Sequence, residues 1–244
     1  MRLAAFCYHR VAPQFAKLVG TNLMGAITVK TFAFDPATVG TGKIFPKEIE
    51  AQDWVGYHGT SSYYSEHIEN KGFVNTKPIP EALLDSLTET LEKYGIDHSG
   101  ISGFKELVSV SFSPVSELCL SYCAASKLGG QGLGIISSAI NTLRNASLRD
   151  EEKELADDIE NIIKEIRSRH PVIYAVNLEK VERIQFNSLT KAVHVYEALA
   201  HDRIIAKLTI NCDIASISIN EELNKNRIMQ IYYGAADHYI KLIK

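Results

Sequence analysis

No apolar run in this 244-residue sequence reaches the roughly 18–20 residues that cross a bilayer, so no membrane-spanning helix is expected. Charge of one sign is also missing. Twenty-six Lys and Arg stand against 29 Asp and Glu, a net charge of −3 with the signs mixed. That balance supplies no long-range pull toward nucleic acid or an anionic surface, and no basic groove is visible for either. The four cysteines, Cys7, Cys119, Cys123 and Cys212, form no Cys-x-x-Cys pair. Cys119 and Cys123 are one helical turn apart, a spacing that suits packing, and reduced thiols without structural zinc are expected. No His-Glu-x-x-His occurs, and the spread of His194, His201 and Asp202 does not make a metal site. The run Gly129-Gly-Gln-Gly-Leu-Gly134 lacks the Lys-Ser/Thr that completes a phosphate loop. Met1 to Phe6 is interrupted at once by His9-Arg10, so a cleaved secretory signal is not expected. A cytoplasmic protein, or one delivered into a target cell without such a signal, is the expectation. Repeats and low-complexity segments are absent.

The chain does have apolar content, 45%, enough to bury one sizeable domain or a domain with an added lobe. Its periodicities mix. Residues 26–32 alternate as a half-buried strand does, after short helices broken at Pro13. Residues 81–93 read as a helix, 95–103 as a loop, and 107–113 as a strand rich in β-formers. A helix is expected to open at Pro114 with Ser113 as its cap, and another to span 135–145. Ser147 to Asp150 resembles a capping box opening a long amphipathic helix with Leu148, Leu155, Ile159, Ile162, Ile163 and Ile166 on one face. Pro171 to Leu178 is a core strand, Glu182 to Phe186 a short one, Asn187 to Ala192 a turn-like loop. Glu197 to His201 and Arg203 to Ile210 read as two more strands, and the tail from Glu221 as a closing helix. The fold class expected is α+β, with residues 1–50 as an accessory lobe, 51–244 as the main domain, and a helical insertion over 135–170.

Three stretches carry chemistry. In Tyr57-His58-Gly59-Thr60-Ser61, Val55 to His58 ends a buried strand, Ser61 and Ser62 offer caps for the next helix, and Gly72 stands where that helix should stop. His58 presents a ring nitrogen, and Gly59 presents main-chain N–H and C=O with no side chain in the way, a pair suited to a flat amide and a ribose hydroxyl. In the second stretch, the strand Val110-Ser111-Phe112-Ser113 leads to a helix bearing Tyr122, eleven residues beyond Ser111. An aromatic there can stack on a flat cationic ring, worth roughly 0.5–2 kcal/mol when desolvated. Phe112 should face the other side of the strand. The third stretch, Tyr196-Glu197-Ala198 to Ile204, has a glutamate entering a strand that runs on through a bend to a second strand; a carboxylate can stabilise a cation that develops beside it.

In that order these stretches resemble the three motifs of the diphtheria-toxin-like ADP-ribosyltransferases, which include the catalytic domains of the poly(ADP-ribose) polymerases. The resemblance covers roughly residues 54–210. Two departures stand out: Ser111 occupies the position of the usual strand tyrosine, and Val195, two before Glu197, excludes the Glu-x-Glu of the arginine-modifying branch. The resemblance implies a split β-sheet core with helical additions and NAD as substrate. His58, Gly59, Thr60, Ser111 and Tyr122 would hold NAD, with Glu197 and His58 as catalytic residues. It further implies mono-ADP-ribosyl transfer to a protein acceptor with release of nicotinamide, as in an effector or toxin acting on a target-cell protein. An NAD glycohydrolase, with water as acceptor, and a non-catalytic module binding NAD or ADP-ribose are the alternatives.

Overall fold

The computed structural model describes residues 29–74, 77–106, 109–124, 128–187 and 192–212, with 214 and scattered positions from 229 to 240. The elements run β1 (Lys30–Ala33), α1 (Lys47–Glu50), β2 (Val55–Ser61), α2 (Ser65–Lys71), α3 (Glu81–Lys93), α4 (Ser99–Glu106), β3 (Val110–Phe112), α5 (Leu120–Cys123), α6 (Gln131–Leu143), α7 (Asp150–Arg167), β4 (Pro171–Asn177), β5 (Ile184–Phe186), β6 (Val193–Val195) and β7 (Ile204–Thr209). The strands form a four-stranded sheet, β1-β7-β4-β2, and a three-stranded sheet, β3-β6-β5. β1 runs parallel to β7, and every other pairing is antiparallel.

β4 is the axis of the larger sheet, and its composition follows from its place. It has neighbours on both edges and apolar layers on both faces. Ile173 and Ala175 enter one buried cluster with Tyr57, Cys119, Cys123 and Leu208. Val172, Tyr174 and Val176 alternate into a second cluster with Phe73, Phe112, Val193 and Val195. A strand covered on both faces has no solvent side to make polar, so it reads as one continuous apolar run. The third cluster is helical. α3 contributes Leu84, Leu87 and Leu91, α6 Ile136 and Ile140, and α7 Ala156, Ile159, Ile163 and Ile166 at three- and four-residue spacing. Ser61, at the end of β2, ties that layer to the sheet by donating its hydroxyl to the Ile166 carbonyl at 2.6 Å.

The helix over 81–93 and the core strand beginning at Pro171 lie where the sequence puts them. The Ser61 hydroxyl accepts the Tyr63 N–H as a cap, and Gly72 ends α2 with φ at 82°. A side chain at Gly72 would collide with the Leu199 carbonyl, because Phe73 and Leu199 exchange main-chain hydrogen bonds beside it.

Five expectations need correction. The 95–103 loop contains the start of α4, whose Ile101 and Phe104 are drawn into the helical cluster despite glycines that disfavour a helix. The helix expected from Pro114 begins as a 3₁₀ turn over Ser116–Cys119 and becomes α5 at Leu120, since Ser113 first closes a local turn by accepting the Val115 N–H at 3.1 Å. α6 begins at Gln131, inside the glycine-rich run. The capping box of α7 is formed by Arg149 and Glu152 rather than from Ser147, because Glu152 also binds Lys93 and Tyr94 of the neighbouring helix end. The strand expected over 197–201 is a bend, one bridge at Leu199 and a short 3₁₀ turn; the strand is Val193–Val195 instead.

β1, within the segment expected to form an accessory lobe, is the outer strand of the larger sheet. The loop after it is pinned to the turn before α5, where the buried Glu117 carboxylate accepts N–H groups of Gly40 at 2.7 Å and Gly42 at 2.6 Å. The expected strand residues 26–28 and the helices before them lie outside the described residues. The described positions from 229 to 240 are helical, as expected of the tail.

Candidate functional site

The two sheets share an apolar core, and among the described residues one main-chain bridge links them. Tyr57 of β2 and Ser113, just past β3, form an isolated antiparallel bridge with N–H···O distances of 2.8 and 2.7 Å. Continuing that register would pair Gly59 with Ser111, two residues on along each strand. The ladder does not continue. The Ser111 carbonyl instead accepts from His58 Nδ1 at 2.9 Å. The Gly59 main chain packs against Cys119 in the turn before α5. An imidazole therefore stands in for the next rung on one side, the turn before α5 packs on the other, and the strands part there.

Local packing dictates both substitutions. His58 packs edge-on to Phe73, ring centres 5.2 Å apart, and tilted on Phe112 at 5.7 Å, within the second apolar cluster. Since Nδ1 faces a carbonyl, it carries the proton, and Nε2 is left as an acceptor in the neutral ring. Burial lowers the His58 pKa, the Ser111 hydrogen bond opposing it, so the ring is neutral near pH 7. Gly59 faces the other side of β2. A Cβ on it would lie 2.7 Å from the Cys119 carbonyl oxygen, so only glycine lets the turn before α5 seat against the strand. Burial pushes the Cys119 thiol well up and Cys123 up to about 12, so neither is a reactive thiolate.

A second polar pair adjoins the parting. Ser111 lies opposite His194 in the β3–β6 register, and Ser111 Oγ and His194 Nδ1 share a hydrogen bond of 3.0 Å. Ser111 is exposed, whereas Phe112, Val193 and Val195 face the core. Burial lowers the His194 pKa, and its Nε2 is withdrawn from solvent without a hydrogen-bond partner among the described residues.

The residues expected to form the site divide. His58 and Ser111 are joined through the carbonyl contact, and Gly59 lies beside them. Thr60 is buried in β2 opposite Val172. Tyr122 is 41% exposed on α5 and has no ring contact with His58; α5 packs on the opposite face of β2. Burial and the neighbouring Cys119 raise the Tyr122 pKa. Glu197 lies beyond β6, and its carboxylate accepts the Arg183 N–H at 3.2 Å, at the entrance to β5. β5 is the outer strand of its sheet, with β6 and β3 between it and His58. The described hydrogen bonds do not bring Glu197 to the imidazole.

Sequence reasoning missed His194 as a site residue. The signal was the alternation Val-His-Val, which puts one polar side chain on the open face of a strand with apolar flanks turned inward. Cys119 was missed because its part is to pack against Gly59 across about 60 positions, which no spacing encodes. Among the described residues no group of three or more His, Cys, Asp or Glu could hold a metal, and no helix is long and apolar enough to cross a membrane. A cavity of ≈ 240 Å³ adjoins the bridge, lined in part by Trp54, Tyr57 and Pro114. Of the two carboxylates on its lining, Glu50 and Asp53, Glu50 is already bound by the Ile44 and Phe45 N–H groups and the Tyr57 hydroxyl. Comparison with protein-family models, with curated proteins and with solved structures returns no match.

Proposed function

We propose that the chain binds NAD where its two sheets part and acts as a mono-ADP-ribosyltransferase, releasing nicotinamide and passing ADP-ribose to a protein acceptor. The observation that carries this reading is the interrupted ladder after Tyr57–Ser113, with a neutral His58 at the break. Its free Nε2 suits a ribose hydroxyl, and the two diverging strand edges suit a flat, extended ligand. The division into two sheets also agrees with the split core that the three motifs imply.

The placement of Glu197 favours a second reading, a module that holds NAD or ADP-ribose without chemistry. Cleaving the nicotinamide bond calls for negative charge near the anomeric carbon, and this carboxylate points to the outer strand. Incubation with NAD labelled in the adenylate portion separates the cases. Label on a lysate protein supports transfer, free ADP-ribose supports a glycohydrolase, and intact NAD bound to the chain supports the module. Glu197→Gln should abolish nicotinamide release if Glu197 drives cleavage; unchanged release removes it from the mechanism.

A further inference from the structure

A buried imidazole has two ring nitrogens to satisfy. His194 uses one: Nδ1 meets Ser111 Oγ at 3.0 Å, and Nε2 is enclosed with no partner among the described residues. An unpaired buried polar atom costs free energy and calls for an explanation beyond packing. The tie to Ser111 is the imidazole's only described hydrogen bond, so the two side chains act as one unit, and the exposed member is the hydroxyl. That unit stands one strand from β2, and the Ser111 carbonyl is the group His58 binds.

We propose that Ser111 and His194 form a ribose-hydroxyl subsite, with Ser111 touching the ligand and His194 as the positioning residue that fixes the Ser111 hydroxyl. This rests on the reading of the parting as an NAD site, and it assigns to β6 a role the sequence had given to Glu197. The chemistry selects a hydroxyl over a phosphate. A neutral imidazole leaves the serine either donating to Nδ1 and accepting from the ligand, or accepting from Nδ1–H and donating to it. A hydroxyl, being donor and acceptor at once, satisfies both states, whereas a phosphate oxygen satisfies only the second.

The test is a comparison of ligands rather than of activities. Binding of NAD and of NAD analogues lacking one ribose 2′-hydroxyl is measured by calorimetry for the unmodified chain, Ser111→Ala, His194→Ala and His194→Gln. The unmodified chain should prefer NAD over one of the analogues by about tenfold, the worth of one good hydrogen bond. Ser111→Ala and His194→Ala should each lose that preference, and His194→Gln, which can still hold the serine, should recover part of it. A purely structural His194 would weaken both ligands equally. An unchanged preference in Ser111→Ala and His194→Ala overturns the subsite and leaves the NAD reading standing. No binding of NAD by the unmodified chain overturns both. If His194→Ala does not fold, Ser111→Ala and His194→Gln read the same ratio.

Discussion

The helical layer and the parting of the sheets solve opposite problems. In the layer of α3, α4, α6 and α7, the buried side chains are leucine, isoleucine and alanine, and the polar groups sit at helix ends. At the parting, an imidazole takes the carbonyl that a main-chain hydrogen bond would otherwise fill, and a serine–histidine pair lies beside it. The first arrangement maximises burial; the second keeps polar groups beside an interrupted ladder. Stability should therefore be concentrated in one region and ligand recognition in the other.

The largest effect expected from that contrast is in the layer. Leu87→Ala, at a fully buried position, should cost about 2–5 kcal/mol in denaturant unfolding, while affinity for NAD in the folded fraction stays the same. A change in affinity would show that the two regions are coupled. Gly59→Ala comes next. Its Cβ meets a main-chain carbonyl that cannot swing aside, so overpacking of about 1–3 kcal/mol is expected, and here NAD binding should fall as well. Stability without loss of binding would place the ligand elsewhere.

These contrasts follow how legible each region was. Helices announce themselves through a period of 3–4 residues, and Glu81 to Lys93 was read to its ends. β4 was equally plain, because burial on both faces leaves an unbroken apolar run. The motif around His58 was visible as residues but not as a geometry. Nothing in Tyr57-His58-Gly59 says that the imidazole will take the Ser111 carbonyl, or that Cys119 will reach the Gly59 main chain. Those are contacts between segments about 50 to 60 positions apart. The capping box moved for the same reason, since Glu152 answers to Lys93 and Tyr94. The strand expected around Glu197 was misjudged. Three residues of Val193–Val195 were too short a run to register, and the acid was put on a strand that is a bend.

Smaller effects sharpen the comparison further. Burial lowers the pKa of His58 and His194 in the folded chain, so the unfolded chain binds more protons below pH 6.5. Stability is thus fully present above that value and is lost as the pH falls through the lowered folded-state values. Melting temperature should decline between about pH 7 and pH 5, and the decline should shrink in His58→Gln. A decline of the same size in His58→Gln would mean that His58 does not carry the acid sensitivity. The smallest effect belongs to Glu197→Gln. With one main-chain partner at 3.2 Å, it should alter stability by no more than about 0.5 kcal/mol.

The central claim is that NAD enters where the sheets separate. The most direct test is titration of NAD into isotopically labelled protein, followed by nuclear magnetic resonance of main-chain amides and histidine rings. Shifts at His58, Gly59, Ser111 and His194, with Leu87 and Ile159 unmoved, are the predicted result. Shifts confined to the cavity lined by Trp54 and Pro114, or none at saturating NAD, would contradict it.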